Sequence, residues 1–293
     1  MLDCAGHTAP STLVMSLPAS QPASQLLQAG RPTLIGVPYD AGSSYLRGAA
    51  DAPAHIREAL RSPSANRWTE DLQHLEGDGD VADAGDLALA ADASARVAIQ
   101  HAIASLLAAG AAPLVLGGDH SITYPVLRAM AAAHGPLTVL HLDAHADLYD
   151  TFDGDRFSHA CPFARIMEEG LARRLVQVGI RTLTGHQRAQ ADRFGVEIID
   201  MRAWTAGTRP QVTGPMYLSV DLDVLDPACA PGVSHWEPGG LSTRDLLALI
   251  QSVGGPVVGA DVVEFNPRRD PTGMTAMVAA KVVKELTAVM RRA

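Results

Sequence analysis

The sequence has few of the features that mark disulfide-rich, nucleic-acid-binding or membrane proteins. It contains three cysteines in 293 residues, and their spacing fits neither a disulfide framework nor a zinc motif. No run of five or more Lys or Arg residues occurs and the formal net charge is -9, which argues against a nucleic-acid partner. No apolar run reaches the roughly 18 residues of a membrane helix. Because the cysteines look like reduced thiols and no basic leader is present, we expect a cytoplasmic protein.

The first 30 residues differ in composition from the remainder of the chain. Up to Gly30 the only Asp, Glu, Lys or Arg is Asp3, and Ala, Ser, Pro and Gln dominate. This composition predicts a flexible tail over residues 1–30, because such a segment has little apolar surface to bury. Residues 31–293 show no internal linker, so we expect them to form one domain.

Beyond Arg31, apolar runs alternate with alanine-rich segments of helical pattern. The predicted strands are Thr33–Val37, Pro113–Leu116, Leu137–Leu142, Leu175–Val178, Glu197–Ile199, Met216–Val220 and Val257–Ala260. The predicted helices are Ala52–Arg61, Ala93–Ala109, Tyr124–Ala133, Cys161–Glu169, Gly185–Phe194, Thr243–Ser252 and Thr275–Arg291. We interpret the acidic segment Glu76–Asp92 as a surface loop. The alternation predicts an α/β fold whose parallel sheet is covered by helices on both faces, with ligands at the carboxyl ends of the strands.

Three predicted strands run into polar residues of the same kind. These are Gly117-Gly118-Asp119-His120-Ser121, Asp143-Ala144-His145-Ala146-Asp147 and Asp221-Leu222-Asp223. Side chains at alternate positions of an extended chain share a side, so Asp143, His145 and Asp147 would face one point. Asp119 has the wrong parity to join His120, and we expect it to bond the backbone of its turn.

Together these segments supply four carboxylates and two imidazoles. The predicted metal ligands are His120, Asp143, His145, Asp147, Asp221 and Asp223. Carboxylates crowded into one cleft repel each other, and two divalent cations would balance four negative charges. The sequence therefore predicts a binuclear site. Oxygen ligands with some imidazole suit Mn²⁺, while zinc, iron, cobalt and nickel stay open.

The same segments resemble the three signatures of the ureohydrolase family, which includes arginases and agmatinases. Ser158-His159-Ala160, Gly179-Ile180-Arg181 and Asp261-Val262-Val263-Glu264 look most like plant-type arginases and their bacterial relatives. The resemblance implies a three-layer α/β/α fold with a central, mostly parallel sheet. It also implies a homotrimer or homohexamer and two Mn²⁺ per subunit, with Asp143 and Asp221 bridging the ions.

The resemblance further implies a reaction and its residues. Metal-bound hydroxide would cleave agmatine to putrescine and urea, or L-arginine to L-ornithine and urea. Glu264 would pair with the cationic guanidinium, His159 would transfer a proton, and Asp147 belongs to both the metal and the catalytic sets. A guanidinium is a poor electrophile and its amine leaves with a proton, which suits metal-activated water and an imidazole.

The sequence gives less information about the residues that would bind the end of the substrate opposite the guanidinium. Two positions that in animal-type arginases hold an Asn and an Asp, which contact the amino-acid end, here hold Tyr149 and Thr184. These candidate substrate-binding residues favour agmatine over L-arginine. Alternatives are a hydrolase of guanidinobutyrate or guanidine, a zinc deacetylase-like amidohydrolase, and an inactive partner subunit. His141 and His235 receive no role.

Overall fold

An eight-stranded parallel sheet forms the centre of the computed structural model, which describes residues 30–75 and 81–292. The strands are β1 (Pro32–Gly36), β2 (Ala82–Asp86), β3 (Ala112–Leu116), β4 (Leu137–Leu142), β5 (Ala172–Val178), β6 (Glu197–Ile199), β7 (Met216–Asp221) and β8 (Val257–Val263). Their order across the sheet is β2-β1-β3-β8-β7-β4-β5-β6. All seven neighbouring pairs are parallel.

Helices pack on both faces of this sheet. One face carries α1 (Ala52–Leu60), α6 (Met201–Thr205), α7 (Thr243–Gln251) and α8 (Met274–Met290), and the other carries α2 (Ser94–Ala108), α3 (Thr123–His134), α4 (Pro162–Glu168) and α5 (Gly185–Phe194). In β3, Leu114 and Leu116 join one core cluster and Val115 joins the other. Burial of both faces explains the continuous apolar strands. The predicted three-layer α/β/α fold is confirmed.

One strand and one α-helix of the described chain, β2 and α6, are absent from the sequence-based prediction. The interpretation of Glu76–Asp92 as a surface loop was wrong for β2, whose sequence lacks the β-branched and aromatic residues typical of strands. The buried guanidinium of Arg57 on α1 binds both carboxylate oxygens of Asp83, at 2.8 and 2.9 Å, and also contacts Asp86. This tertiary anchor holds an edge strand that its own sequence does not favour. The short helix α6 begins after the capping residue Asp200.

The N-terminal prediction lies almost wholly outside the described part of the chain. Of the expected flexible tail, residues 1–30, the structure describes Gly30. The division into a tail and a single domain therefore stays a prediction. Between residues 30 and 292, with the gap at 76–80, no helix is long and apolar enough to span a membrane.

Candidate metal centre and cavity

The predicted site residues follow four adjacent strands of the sheet. β3, β8, β7 and β4 are neighbours in that order, and their carboxyl ends lie at one edge. His120 follows β3, Asp143 follows β4 and Asp221 ends β7. Glu264 follows β8, which is three residues longer at this end than the predicted strand. Because β8 lies between β3 and β7, Glu264 is placed among the predicted ligands.

The turn after β3 depends on close backbone approach. A Cβ added to Gly118 would lie 1.7 Å from the carbonyl oxygen of Tyr39, so only glycine fits without moving backbone. Asp119 then caps the following turn, its Oδ1 accepting the backbone N–H of Ser121 at 3.0 Å. The predicted structural role of Asp119 is confirmed, and the turn directs His120 towards the other ligands.

Nδ1 of His120 faces three carboxylate oxygens. It lies 3.1 Å from Oδ2 of Asp143, 3.2 Å from Oδ2 of Asp147 and 3.1 Å from Oδ2 of Asp221. This nitrogen is buried, and no described residue meets it with hydrogen-bond geometry. The structure therefore leaves a fully buried ring nitrogen among three acceptors.

Ser219 determines which nitrogen of His120 carries the proton. Its Oγ lies 2.9 Å from Nε2 of His120 and donates its single hydrogen to Oδ1 of Asp261 at 2.7 Å. Ser219 must therefore accept from Nε2, so the neutral imidazole carries its proton on Nε2 and a lone pair on Nδ1. A lone pair and three carboxylates in a buried space repel one another unless a cation lies between them.

A second group of ligands adjoins the first. Nδ1 of His145 lies 3.0 Å from Oδ2 of Asp223 and 3.4 Å from Oδ1 of Asp143, and the three residues form a cluster of suitable size for one metal ion. Burial raises the pKa of Asp221 well above its usual range, and the charges of Asp223 and Asp143 raise it further. The shared Asp143 and this accumulated negative charge fit a pair of divalent cations.

The ligands meet by a different backbone path from the predicted one. The chain does not stay extended after β4, because Asp147 has a φ of 50°. Residues Leu222–Val224 form a 3-10 turn, so Asp223 is not an alternate position of a strand either. Glu264 also has a positive φ of 62°. A left-handed conformation costs a non-glycine residue about 1–2 kcal/mol, and such strain is concentrated at functional sites.

His141 is placed to hold a ligand in position. The side-chain amide nitrogen of Gln177 lies 2.6 Å from the carbonyl oxygen of Ala146 and 3.0 Å from Nδ1 of His141. Because that nitrogen donates to both, Nδ1 of His141 is an acceptor and its proton lies on Nε2. Nε2 then donates to Oδ2 of Asp143 at 2.7 Å. We therefore assign His141 to orienting Asp143, although its position near His120 and Asp143 would also suit a metal ligand.

Glu264 and His159 form a buried pair beside the ligands. Oε1 of Glu264 accepts the backbone N–H of His120 at 2.9 Å and lies 3.1 Å from Nδ1 of His159. Nε2 of His159 lies 2.9 Å from Oγ of Ser44. Burial lowers the pKa of His159, but the hydrogen bond and the charge of Glu264 outweigh it and raise the pKa to about 9. Oε2 of Glu264 has no hydrogen-bond partner in the described ranges.

A cavity of about 200 Å³ opens onto these groups. Its wall contains Ser44, His145, Asp147, Tyr149, Phe152, His159, Ala160, Thr182, Gln187, Asp221, Asp223, His235, Glu237 and Glu264. His235, which the sequence left without a role, stacks on His159 with ring centroids 5.2 Å apart. No lysine or arginine belongs to this wall as the structure describes it.

The two predicted substrate-binding residues have different positions. Tyr149 is part of the cavity wall, where its ring stacks against His186 at 5.6 Å. Thr184 does not belong to the wall: it is exposed, and its hydroxyl caps α5 by accepting the backbone N–H of Gln187. The assignment of Thr184 to substrate binding stays a prediction, and the helix cap uses its side chain. Gln187 lines the cavity instead, and the Thr-x-x-Gln spacing of a capping box is the signal that marks it.

Comparison with known proteins gives consistent matches. A model of the Arginase family matches residues 31–288. The chain is 48% identical over 274 residues to arginase 1, mitochondrial, of Arabidopsis thaliana, which covers 87% of this chain and 80% of that protein. It is 39% identical over 274 residues to guanidino acid hydrolase, mitochondrial, of Homo sapiens, covering 86% and 76%. Among solved structures, the arginase from Medicago truncatula superposes with a TM-score of 0.85 at 43% identity, covering 89% of this chain and 88% of that one.

These relatives correct the expected location. The sequence predicted a cytoplasmic protein, whereas the Arabidopsis arginases are described as mitochondrial or as chloroplastic and mitochondrial. The relatives point to an organelle instead. Cysteine usage separates oxidising from reducing surroundings, and it does not distinguish the cytosol from the interior of such an organelle.

Proposed function

We propose, from the premise that this chain belongs to the arginase family, that it hydrolyses the guanidino group of agmatine or L-arginine and releases urea. Family membership confirms the predicted resemblance to ureohydrolases and the assignment to hydrolases of guanidino and amidine substrates. The accompanying product would be putrescine from agmatine and L-ornithine from L-arginine. The names of the relatives, an arginase and a guanidino acid hydrolase, support a guanidino substrate.

The observation that best supports this proposal is the position of Glu264. Its Oε1 is held by the backbone of His120 and by His159, while Oε2 is unpaired in the described ranges and Glu264 lines the cavity. A guanidinium presents a planar array of N–H donors that matches a carboxylate. Glu264 would therefore bind the guanidinium and orient its central carbon beside the metal-ligand carboxylates.

His159 would supply the proton that the departing amine needs. With a pKa of about 9 it is protonated at neutral pH, and then Nδ1–H donates to Glu264 and Nε2–H to Ser44. This arrangement fixes the ring at the cavity wall and keeps a proton available next to the substrate. His159 is therefore a general acid in this proposal.

Two Mn²⁺ ions are the cofactors that we propose. One ion would be held by His120, Asp143, Asp147 and Asp221, and the other by Asp143, His145, Asp221 and Asp223. When bound, such ions lower the pKa of water and supply a nucleophile at neutral pH. Asp147, which takes its place through a strained φ of 50°, also lines the cavity and so borders the substrate.

Urea release by the Mn²⁺-loaded protein tests the proposal. The panel should contain agmatine, L-arginine, 4-guanidinobutyrate and guanidine, with Asp221→Ala as the inactive control. We expect urea from at least one compound and two metal ions per chain by elemental analysis. Absence of urea from all four would contradict the proposal and favour an inactive subunit.

A zinc-dependent amidohydrolase is the main alternative reaction. It would bind one zinc ion per chain and release acetate from acetylated amines, and it would leave two of the four carboxylates without a metal. Metal content and acetate release separate the two reactions. We also propose a homotrimer or homohexamer, which a molar-mass measurement in solution would test.

A further inference from the structure

The side-chain amide of Gln187 uses its oxygen in hydrogen bonds, whereas its NH₂ group makes none within the described residues. Gln187 lies in the first turn of α5 and is 3% exposed. Its Oε1 accepts the backbone N–H of Thr184 at 3.2 Å and the Thr184 hydroxyl at 3.3 Å. Because the backbone N–H can only donate, the amide cannot be flipped. Its NH₂ group therefore lies on the side away from the cap.

The free NH₂ group of Gln187 belongs to the cavity wall. Within residues 30–75 and 81–292, Nε2 of Gln187 makes no hydrogen bond, and Gln187 lines the same cavity as Glu264 and His159. Nε2 of Gln187 is not among the fully buried side-chain atoms that lack a partner in the described ranges, so it is open to the cavity and can donate to an oxygen of a ligand. The start of α5 adds the partial positive charge of a helix N-terminus, which favours an anion.

Arg181 and Thr182, which lie near Gln187 in the chain, already use their donors within the protein. Arg181 donates to the main-chain oxygens of Asp223 at 2.7 Å and Glu237 at 2.6 Å. The hydroxyl of Thr182 donates to the carbonyl oxygen of Ala144 at 3.2 Å. In this part of the cavity the amide of Gln187 is available to a carboxylate, beside Tyr149 of the same wall.

We propose that Gln187 is a specificity-determining residue whose amide donates to the carboxylate of a guanidino acid. The proposal rests on the proposed function, which places the guanidinium against Glu264, and it names the substrate class: L-arginine or another linear guanidino acid, in preference to agmatine. It reverses the preference for agmatine that Tyr149 and Thr184 suggest from the sequence. Agmatine carries no carboxylate and leaves the Gln187 donor unpaired.

Gln187→Glu tests this assignment without removing the cap. Glutamate keeps the oxygen that accepts from Thr184, since capping boxes use Glu and Gln alike, but it replaces the donor with a negative charge. We expect kcat/KM for L-arginine and 4-guanidinobutyrate to fall about ten- to a hundredfold relative to agmatine, the range for losing a hydrogen bond to a charged group. The loss should appear mainly in KM, because the carboxylate is bound equally in the ground and transition states. Binding of L-ornithine, followed by calorimetry, should weaken in parallel, and binding of putrescine should not.

Gln190→Glu is the matched control. Gln190 lies on the same helix, is also buried, accepts from Arg193 at 3.2 Å and does not line the cavity. It should leave the substrate ratio unchanged. An unchanged ratio in Gln187→Glu, or a wild-type enzyme that cleaves agmatine and neither acid, would overturn this inference alone. A wild-type protein that releases urea from none of the three would overturn the proposed function and the inference with it.

Discussion

Ser219 and His120 share a hydrogen bond of 2.9 Å whose direction is set by Asp261, which takes the only hydrogen of the serine hydroxyl. Replacing Ser219 with Ala removes the acceptor of the Nε2 proton and frees the orientation of the ring. Residues that orient metal ligands typically contribute about ten- to a hundredfold to metal affinity. We expect Ser219→Ala to weaken Mn²⁺ binding by this factor, measured by competition with a chelator.

Thr123→Val is the control for that substitution. The hydroxyl of Thr123 donates to Oδ2 of the same Asp261 at 2.8 Å, and the Thr123 side chain makes no hydrogen bond to the His120 ring. Each variant removes one donor from Asp261 and should lower the free energy of unfolding by about 1–3 kcal/mol. An equal loss of metal affinity in both variants would show that Asp261, and not the Ser219 contact, is responsible.

The predicted division between metal ligands and proton donor can be tested directly. Asp143→Ala or Asp221→Ala should abolish activity and tight binding of at least one ion, because each carboxylate faces ligands of both ions. His159→Ala should retain two ions per chain and lower kcat about 10²- to 10⁴-fold, the range for one general acid. Elemental analysis of each purified variant measures the ions. Loss of metal from His159→Ala would show that this histidine is a ligand.

Much of the site could be predicted because its residues sit where buried strands end. Apolar runs of strand length followed by His120, Asp143 and Asp221 indicate one edge of a parallel sheet, whatever path the loops take. The backbone paths of the loops that follow these strands could not be predicted from the sequence. Alternation in an extended chain suggested that Asp147 would face the other predicted ligands, yet it approaches His120 through a left-handed φ that only the packed structure enforces.

Other features depend on contacts between residues distant in sequence. Arg57 of α1 anchors β2 by binding Asp83 and Asp86. No local sequence pattern indicates this contact. The roles of Thr184 and Gln187, in contrast, are indicated by a local sequence pattern. A capping box is visible in the sequence, and it would have assigned the Thr184 hydroxyl to the helix and left the Gln187 amide available for the cavity.

Arg57→Met should loosen the edge strand β2. The Arg57 side chain is 10% exposed and that of Asp83 is 27% exposed, which places the pair between surface and buried ion pairs. We expect the free energy of unfolding to fall by about 2 kcal/mol, with faster hydrogen exchange in β2. Arg61→Met is the control, because Arg61 is 69% exposed and 4.0 Å from the same carboxylate. It should change stability by less than about 0.5 kcal/mol, and an equal effect of both would contradict this account.

Arg165 positions the loop that joins Tyr149 to His159. Its side chain is 4% exposed, and it donates to the carbonyl oxygen of Asp150 at 2.6 Å and to that of Arg156 at 3.1 Å. It also binds the Asp150 carboxylate at 2.9 Å. Arg165→Met removes all of these bonds, so both ends of the loop should move relative to the metals. Displacements of about 1 Å at a reacting centre cost up to about a hundredfold in rate, and we expect kcat/KM to fall by ten- to a hundredfold.

Arg156→Met separates positioning by Arg165 from a general effect of charge on this loop. Arg156 binds the same Asp150 carboxylate at 2.9 Å, but its side chain is 47% exposed and makes no hydrogen bond to the loop carbonyls. It removes the same positive charge and should change kcat/KM less than about twofold, as expected for an exposed ion pair. Because the Arg165 side chain makes no hydrogen bond to a predicted metal ligand, both variants should retain full metal content. If Arg156→Met slowed turnover as much as Arg165→Met, the charge of the loop, and not the buried bonds to its backbone, would control the position of His159.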